Sequence, residues 1–569
     1  MASNPGDVAA GDSTVARVIG TEDATPLTFW AAVAPGRWLQ LDDVVVTTRE
    51  MPDGEPVTLS GVVSQVRARH EGARFDSDVF LIHDGVLPAD TVETAEIMVT
   101  RVEPELYVPP LPGDAVRRAA DKERDHALYF DQMDRRVPIG LGRDGEPLFA
   151  NLEFVDGTRG AHVNISGVSG VATKTTYATF LLYGMFASGV LGEEAVNTKA
   201  LIFNVKGEDL LFLDHPNAHL PDDDRELYRR MGLPAAPFDS VAVYAPPRKG
   251  DPNAGPDVRT RTTGIHTYYW TIAEFCEDEL LHFVFADLED ERQQYTMVVH
   301  NVATHLKRHG RAAGDDGAFE IDGRVLRTYD QLVEHVVEML TAADGPVWPM
   351  PAIGMGTINA FVRRLLSSVR ALGHLVRADI PVRSHRTVTT ADSKVTVVDL
   401  HNLPDRAKRF VVGVTIRRTF DDKERSGASR PLLFLVLDEL NKYAPREGSS
   451  PIKEILLDVA ERGRSLGVIL IGAQQTASEV ERRVIANSAI RVVGRLDPAE
   501  AARAEYGFLP PSHRARATLA KPGTMIVSQP EIPVPLVAAF PFPAWATRPS
   551  EVGRRPDDPD ADPFGGLPS

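Results

Sequence analysis

The sequence has a single cysteine, Cys276, among 569 residues. One thiol excludes an intrachain disulfide and a zinc site made of several cysteines, and it fits a reducing compartment. Long hydrophobic runs are also missing, since no apolar stretch approaches the roughly 20 residues that cross a bilayer. The beginning, MASNPGDVAAGDS, lacks the basic and apolar regions of a signal peptide. We therefore expect a cytoplasmic protein with no membrane partner.

Basic residues are too few to make the whole surface positive. The 62 Lys and Arg are outnumbered by 80 Asp and Glu, which gives a formal net charge of -18. This balance excludes a globally basic protein that coats nucleic acid. Nucleic-acid binding would need a local basic surface, such as the channel of a ring.

Both ends contain few residues that could enter a core. Residues 1–27 begin with small and acidic residues, and residues 549–569 are rich in Pro, Gly and Asp. We expect both segments to be disordered. The acidic tail would serve as a solubilising segment or, alternatively, would bind a partner.

Residues 28–115 are typical of a small β-barrel or sandwich. LDDVVVTT (41–48), VTLSGVVSQV (57–66) and AEIMVTRV (95–102) are short β-branched runs bounded by Gly, Pro and Asp. VPPLPGDAV (108–116) then predicts an extended linker, because proline disfavours helix at and before its own position.

The remainder predicts an α/β core. HVNISG (162–167), TTYATFLLYGMFASG (175–189) and ALIFNV (200–205) give the order strand, helix, strand, which indicates a parallel sheet. We assign 116–210 to the first part of this core and 391–548 to the second. Apolar strands resume in the second part at KVTVVDL (394–400), PLLFLVLDEL (431–440), GVILIGAQQ (467–475) and AIRVVGRL (489–496). Residues 211–390, between the two parts, are expected to form a mainly helical insertion.

A candidate phosphate-binding loop connects the first strand and helix of this core. Its residues are Gly167, Ser169, Gly170, Val171, Ala172, Thr173, Lys174, Thr175 and Thr176. Main-chain N–H groups of such a turn surround phosphate oxygens, a lysine reaches the outer phosphates, and a Thr hydroxyl binds Mg²⁺. The loop departs from the usual pattern, with one extra residue and with Thr173 where a glycine normally precedes Lys174. An ordinary strand-to-helix turn with a surface lysine is the alternative.

Two acids follow a run of six apolar residues further along the chain. Asp438 stands where an acid holds the Mg²⁺ shell of ATP, and Glu439 where an acid orients or deprotonates the attacking water. These two carboxylates could instead only favour the dipole of the next helix.

Other candidates lie on or between the following strands. Gln474, at the end of GVILIGAQQ, would sense the γ-phosphate or position water, whereas the simpler alternative of satisfying loop backbone is preferred for Gln475. Arg464 would reach a neighbouring subunit's site and stabilise transition-state charge, and the competing interpretation is a solvated helix end. Arg491 and Arg495 are further candidates.

In their order and spacing, these blocks resemble the HerA family of ring ATPases, relatives of the FtsK DNA translocases. ALIFNVKGEDL (200–210), VTVVDLHNLPDRAKRFVV (395–412), ERGRSLGVILIGAQQ (461–475) and LAKPGTMIVSQPEIPVPL (519–536) are similar to family blocks. The resemblance implies a RecA-like P-loop ATPase core behind an N-terminal barrel. It also implies ATP and Mg²⁺ as cofactors, a homo-hexamer around double-stranded DNA, and a nuclease or other effector as partner.

By the same resemblance, Thr175 and Asp438 are the metal residues, and Glu439, Gln474 and Arg464 are the catalytic ones, with Glu208 as an accessory acid. A DNA-translocating, helicase-like ATPase is the function expected first, with antiphage defence as its expected setting. The altered loop leaves a second hypothesis open, a hexameric nucleotide-binding scaffold with weak or no hydrolysis that assembles or activates a defence effector. Coupling to conjugation or secretion is a third.

Overall fold

The computed structural model describes residues 13–168, 174–285, 293–381 and 385–553. These residues fall into two compact units. Unit 1 lies within Met1–Leu152 and Val492–Phe540, and unit 2 within Glu153–Arg491 and Pro541–Ser569. None of the described helices is long and apolar enough to cross a membrane.

The strands, in chain order, are β1 (Thr14–Val18), β2 (Thr28–Val33), β3 (Val44–Glu50), β4 (Pro56–Glu71), β5 (Asp90–Glu103), β6 (Ala115–Arg118), β7 (Arg136–Leu141), β8 (Pro147–Asn151), β9 (Val163–Ser166), β10 (Lys199–Asn204), β11 (Val241–Ala245), β12 (Ile265–Thr267), β13 (Arg311–Ala313), β14 (Ala318–Ile321), β15 (Arg324–Leu326), β16 (Val395–Asp399), β17 (Leu433–Asp438), β18 (Val468–Gln474), β19 (Ile490–Val493), β20 (Thr524–Ser528) and β21 (Leu536–Ala539).

The α-helices are α1 (Asp78–His83), α2 (Asp121–Ala127), α3 (Lys174–Ala187), α4 (Asp222–Arg230), α5 (Ile272–Glu277), α6 (Leu281–Val284), α7 (Gln293–His309), α8 (Tyr329–Leu340), α9 (Met355–Leu372), α10 (Asp405–Ser426), α11 (Leu440–Tyr443), α12 (Pro451–Leu466), α13 (Arg482–Ala486), α14 (Pro498–Ala501) and α15 (Pro511–Leu519).

Unit 1 contains a closed antiparallel barrel with the strand order β1-β2-β5-β4-β3-β6, which confirms the small β-barrel predicted from the sequence. Our expectation that residues 1–27 are disordered was wrong for the described part of that segment. Thr14–Val18 forms β1, because Val15, Ala16 and Val18 enter the barrel core with exposures of 8%, 0% and 3%. Closing the barrel gives β1 partners on both sides, β2 and β6.

A second group of strands in unit 1 runs β20-β21-β7-β8, with antiparallel neighbours. These strands lie in the segments 116–210 and 391–548, which the sequence analysis assigned to the α/β core. Assigning whole segments of the chain to domains stays a prediction.

Unit 2 contains seven neighbouring strands in the order β12-β11-β16-β10-β17-β18-β9, all parallel. Strands β16, β17 and β18 are buried along their whole length. Burial of every residue, rather than of alternate ones, means that both faces of the sheet are covered, as in α/β proteins. The predicted α/β class is therefore confirmed.

Residues 211–390 were expected to be mainly helical, and this is only partly correct. The segment does contain α4 to α9. It also contributes β11 and β12 to the parallel sheet and folds a separate antiparallel sheet from β13, β14 and β15. Val241–Ala245 is only five residues long and gives little sequence signal, so its place beside β16 is decided by tertiary packing.

The acidic tail also begins within the fold. Glu551 accepts a main-chain hydrogen bond from Ala218 at 2.8 Å, and the N–H of Gly553 donates to Pro216 at 2.8 Å. The expected disorder of 549–569 was therefore wrong for residues 549–553, since their main chain pairs with 216–218. Residues 554–569 lie outside the described chain.

Helix α12 and strand β18 are joined by a turn that only glycine fits. The helix begins after Ser450, whose hydroxyl accepts the N–H of Lys453 at 3.2 Å, and Pro451 occupies its first turn. It ends at Leu466, and the next residue, Gly467, has a φ of +68°, in the left-handed region. A Cβ there would meet the Ser429 carbonyl oxygen at 2.0 Å. The turn thereby feeds Val468 directly into the centre of the sheet.

Candidate nucleotide site

The candidate residues meet at the carboxyl ends of neighbouring parallel strands in unit 2. Strand β18 lies between β9, which leads into the phosphate loop, and β17, which ends in the acids. In this register Gln474 pairs with Ser166, and Asp438 pairs with Ala473. Open α/β sheets bind ligands at this edge, because loops leave the strands there and helices begin there.

Lys174 and Thr175 form the first turn of α3 and face this edge. The Lys174 ammonium is buried, with 5% of the residue exposed, and donates to the Gly167 carbonyl at 2.8 Å. Thr175 Oγ1 donates to Asp438 Oδ2 at 2.9 Å. The hydroxyl predicted to bind the metal is therefore linked to the acid strand in three dimensions, and the lysine precedes it in the same helical turn.

Burial lowers the pKa of Lys174 from its ordinary value of 10.5 to about 8. Lys206 also lowers this pKa, whereas the carboxylates of Asp438 and Glu439 raise it. Burial makes the charged form of this lysine less stable, so a nearby anion would stabilise its ammonium group. A phosphate group is an anion of this kind.

Asp438 and Glu439 end strand β17 with different surroundings. The Asp438 side chain is 5% exposed, and its Oδ1 accepts the N–H of Glu439 at 2.8 Å. Glu439 adopts φ +56°, a left-handed conformation that is unfavourable for a residue with a side chain. Strain of this kind is concentrated at functional sites, where surrounding contacts hold it in place.

Two lysines that the sequence did not single out neutralise these acids. Lys206 Nζ lies 3.4 Å from Asp438 Oδ2 and 3.2 Å from Glu439 Oε1, and Lys442 Nζ lies 2.8 Å from Glu439 Oε2. Burial alone would raise the pKa of Glu439, but the two lysines outweigh it and lower the pKa. Lys206 directly follows the strand ALIFNV, and this position at a carboxyl edge was the available sequence signal.

Gln474 is fully buried and holds the edges of β9 and β18 together. Its Nε2 donates to Asn164 Oδ1 at 2.8 Å and to Ser166 Oγ at 2.9 Å. Its main-chain carbonyl accepts the N–H of Gly167 at 3.2 Å. The side chain and main chain of Gln474 together fix the point at which the chain enters the phosphate loop. A role in sensing a phosphate stays a prediction.

The middle of the predicted loop, Ser169, Gly170, Val171, Ala172 and Thr173, lies outside the described residues. Gly167 is buried, and Thr176 is half-buried in the first turn of α3. The replacement of a glycine by Thr173 therefore stays a sequence observation.

The remaining candidates have partners of their own. Arg464 is exposed and donates to the carbonyls of Gly157 at 3.0 Å and Thr158 at 2.7 Å. Glu208 accepts the N–H groups of Arg259 and Thr260 at 3.3 and 3.2 Å. Gln475 is exposed, as a loop-facing amide would be. The trans-acting role of Arg464 and the accessory role of Glu208 stay predictions, as do those of Arg491 and Arg495.

These residues fit a nucleotide bound with Mg²⁺. Thr175 Oγ1 and the buried Asp438 Oδ2 lie 2.9 Å apart. Oxygen atoms of this kind are the ligands that Mg²⁺ prefers. Lys174 supplies a positive charge one residue away from the hydroxyl. The α/β core and the barrel implied by the HerA-like resemblance are both present.

No protein-family model matches the chain, and no curated protein matches it. Several solved structures match the chain. VirB4 of Thermoanaerobacter pseudethanolicus is 15% identical, with 72% of this chain and 97% of that chain covered and a TM-score of 0.42. Plasmid coupling protein TrwB in complex with ADP and Mg²⁺ is 12% identical, with 74% and 94% covered and a TM-score of 0.42. The genome packaging NTPase B204 from Sulfolobus turreted icosahedral virus 2, in complex with ATP-γS, is 10% identical, with 26% and 69% covered and a TM-score of 0.21.

Proposed function

We propose that the protein is an ATP-hydrolysing motor that translocates double-stranded DNA. The observation that carries the nucleotide part is the hydrogen bond of 2.9 Å between Thr175 and Asp438, beside the buried Lys174. These residues are separated by 263 positions in the sequence. A chance strand-to-helix turn gives no reason for a Thr hydroxyl to meet a buried carboxylate across an intervening strand.

Each residue has a distinct role in this proposal. Lys174 binds the outer phosphates, and Thr175 and Asp438 hold the metal ion. Glu439 orients the attacking water, and Gln474 positions the β9 edge and senses the γ-phosphate. Mg²⁺, when bound, would neutralise the charge that develops on the phosphates. Arg464 would act on the site of a neighbouring subunit.

The DNA-handling part rests on the HerA-like resemblance and on charge. With a net charge of -18, the chain can hold DNA only through a local basic surface, and a hexameric ring would concentrate such a surface in its channel. We propose a cytoplasmic homo-hexamer that acts with a nuclease or other effector, with antiphage defence as its setting.

The test is ATP turnover by the full chain with Mg²⁺, with and without duplex DNA. Wild type should hydrolyse ATP, and duplex DNA should raise the rate. Glu439→Gln keeps the size of the side chain and removes its charge, so it should lower turnover by about 100-fold or more while nucleotide binding persists. Absence of turnover in both conditions would remove the motor function.

A second candidate function is supported by the ion pairs of Glu439. Its two oxygens lie 3.2 Å from Lys206 and 2.8 Å from Lys442. A carboxylate held by two ammonium groups is a weak base and has little freedom to orient water. This geometry favours slow or absent hydrolysis. The second candidate is therefore the hexameric nucleotide-binding scaffold that assembles or activates an effector.

Lys174→Ala separates the two candidates, because Lys174 would bind the outer phosphates in the motor. If the scaffold is correct, wild type should form hexamers and activate its partner without turnover, and the partner should respond equally to Lys174→Ala. If the motor is correct, Lys174→Ala should abolish both turnover and partner activation.

A further inference from the structure

A cavity of about 400 Å³ lies in unit 2 and reaches the amino ends of two strands of the parallel sheet. It is lined by Lys199 and Leu433, which begin β10 and β17, and by the second half of α10. The segments 268–270 and 386–390 complete the wall. Strand β17 has six residues, so at about 3.3 Å per residue its first residue lies roughly 16 Å from Asp438. This end of the cavity therefore lies one strand length from the nucleotide site, and none of the candidate nucleotide residues lines the cavity.

The cavity is rich in positive charge. Its lining has five basic side chains and one acidic side chain, Lys199, Arg386, Arg418, Lys423 and Arg430 against Asp422. The acid is already paired with Arg425, which lies outside the lining. An excess of positive charge around a partly enclosed space attracts an anion.

Carboxylates neutralise only part of this charge. Arg386 pairs with Glu274 at 2.7 Å, and Arg430 pairs with Glu194 at 3.1 Å and with Asp156 at 3.4 Å. Within the described part of the chain, Lys199 and Lys423 donate to main-chain carbonyls instead, those of Ala391 and Pro431. Carbonyl oxygens satisfy N–H donors but carry no net charge. Burial, and then the nearby Arg430, lower the pKa of Lys423, as expected for a cation that lacks a counter-ion.

A buried hydroxyl in the wall has no hydrogen-bond partner. Thr415 is 6% exposed, and its Oγ1 makes no hydrogen bond in the described structure. Buried polar groups are satisfied in the great majority of cases, so such a group needs an explanation. Because Thr415 lines the cavity, a ligand acceptor there would supply the missing bond.

One part of the wall is aromatic. Tyr268, Tyr269 and Trp270 line the cavity, and the Arg386 guanidinium lies 5.6 Å from the centre of the Tyr269 ring. Flat rings and aliphatic side chains such as Val414 suit a planar apolar group. The volume lies in the range of small-molecule sites, about 300–1,000 Å³.

We propose that this cavity binds a small organic anion that carries an aromatic ring. The ring would lie against Tyr268, Tyr269 and Trp270, and the anionic group would face Lys423 and accept the Thr415 hydroxyl. This site is independent of the proposed nucleotide chemistry, so either can fail without the other.

The probe is 8-anilinonaphthalene-1-sulfonate, titrated by fluorescence into the full-length protein. N-phenyl-1-naphthylamine has the same ring systems without the sulfonate and is the matched control. Wild type should bind the sulfonate at one site and about 10-fold more tightly than the neutral compound. Lys423→Gln should reduce that preference about fivefold. Binding in Lys174→Ala should equal that of wild type, because that residue does not line the cavity.

Thr415→Val distinguishes a ligand-binding hydroxyl from a packing defect. Replacing an unsatisfied hydroxyl by a methyl should raise the melting temperature in either case. It should also weaken sulfonate binding about fivefold if the hydroxyl holds the anion. Thr47→Val is the matched control, since Thr47 Oγ1 is likewise buried and unbonded but lies in the barrel.

Two results would overturn the proposal. One is equal affinity for the sulfonate and the neutral compound, because the cavity would then recognise no charge. The other is wild-type affinity in both Thr415→Val and Lys423→Gln with the melting temperatures retained, because the probe would then bind elsewhere.

Discussion

Replacing Thr175 by valine tests the link between the phosphate helix and the acid strand. Valine has nearly the same shape as threonine but cannot donate to Asp438 Oδ2, which now receives the Thr175 hydroxyl at 2.9 Å. A hydrogen bond to a charged group contributes about 1.5–3 kcal/mol when buried. Because Thr175 is half-buried and Lys206 also reaches this oxygen, we expect a loss near the lower end, about 1.5 kcal/mol.

Two assays measure the consequence. Urea unfolding should show the lower stability in the absence of nucleotide. Anisotropy of a fluorescent ATP analogue, measured with Mg²⁺ and with EDTA, should show that Mg²⁺ tightens binding to wild type by about 10-fold or more and to Thr175→Val hardly at all. Thr175→Ser keeps the hydroxyl and should restore the Mg²⁺ effect. An undiminished Mg²⁺ effect in the valine variant would refute the metal role of Thr175.

Three further predictions concern buried groups of unit 2. Lys174 has a pKa of about 8, so nucleotide affinity should fall as the pH rises above about 8, whereas Lys174→Arg should bind equally from pH 7 to 9.5; a flat wild-type profile would contradict this. Burial lowers the pKa of His162 from 6.5 to about 4. The unfolded chain therefore takes up this proton at a higher pH than the folded chain, which favours unfolding as the pH falls. Between pH 6.5 and 4, the free energy of unfolding of wild type should fall by about 3 kcal/mol more than that of His162→Gln, when both are unfolded by urea across that range. Gln474→Leu removes the donor to Asn164 and Ser166 and should lower stability by about 2 kcal/mol in the same assay, and an unchanged midpoint would show that these amides are satisfied in another way.

The sequence was most informative where local pattern and burial agree. Strands β10, β16, β17 and β18 are continuous apolar runs because helices cover both faces of the sheet, and such runs are visible without a structure. The barrel strands β3, β4 and β5 were also visible in the sequence, as short β-branched runs bounded by glycine and proline. These elements were therefore predictable.

Contacts over long separations were not predictable. Thr14–Val18 is a short run that becomes a strand only because β2 and β6 pair with it. Lys206 and Lys442 are ordinary surface lysines in the sequence, and only the fold brings them to Glu439. The same holds for Thr415, whose unbonded hydroxyl becomes apparent only when its neighbours are known.

The candidate site was predictable in its residues but not in their arrangement. A lysine and threonine at the start of a helix and two acids at the end of a strand are local patterns, and the sequence predicted all four residues. Their juxtaposition required the order β9-β18-β17, in which Gln474 lies between the two halves.

The most direct test of the nucleotide site is an experimental structure of the full chain with Mg²⁺ and a non-hydrolysable ATP analogue. We expect Mg²⁺ about 2.0–2.1 Å from Thr175 Oγ1, with Asp438 bound directly or through one water, and Lys174 turned from the Gly167 carbonyl to the outer phosphates. A nucleotide bound elsewhere, or a metal ion without contact to Thr175 and Asp438, would contradict this expectation.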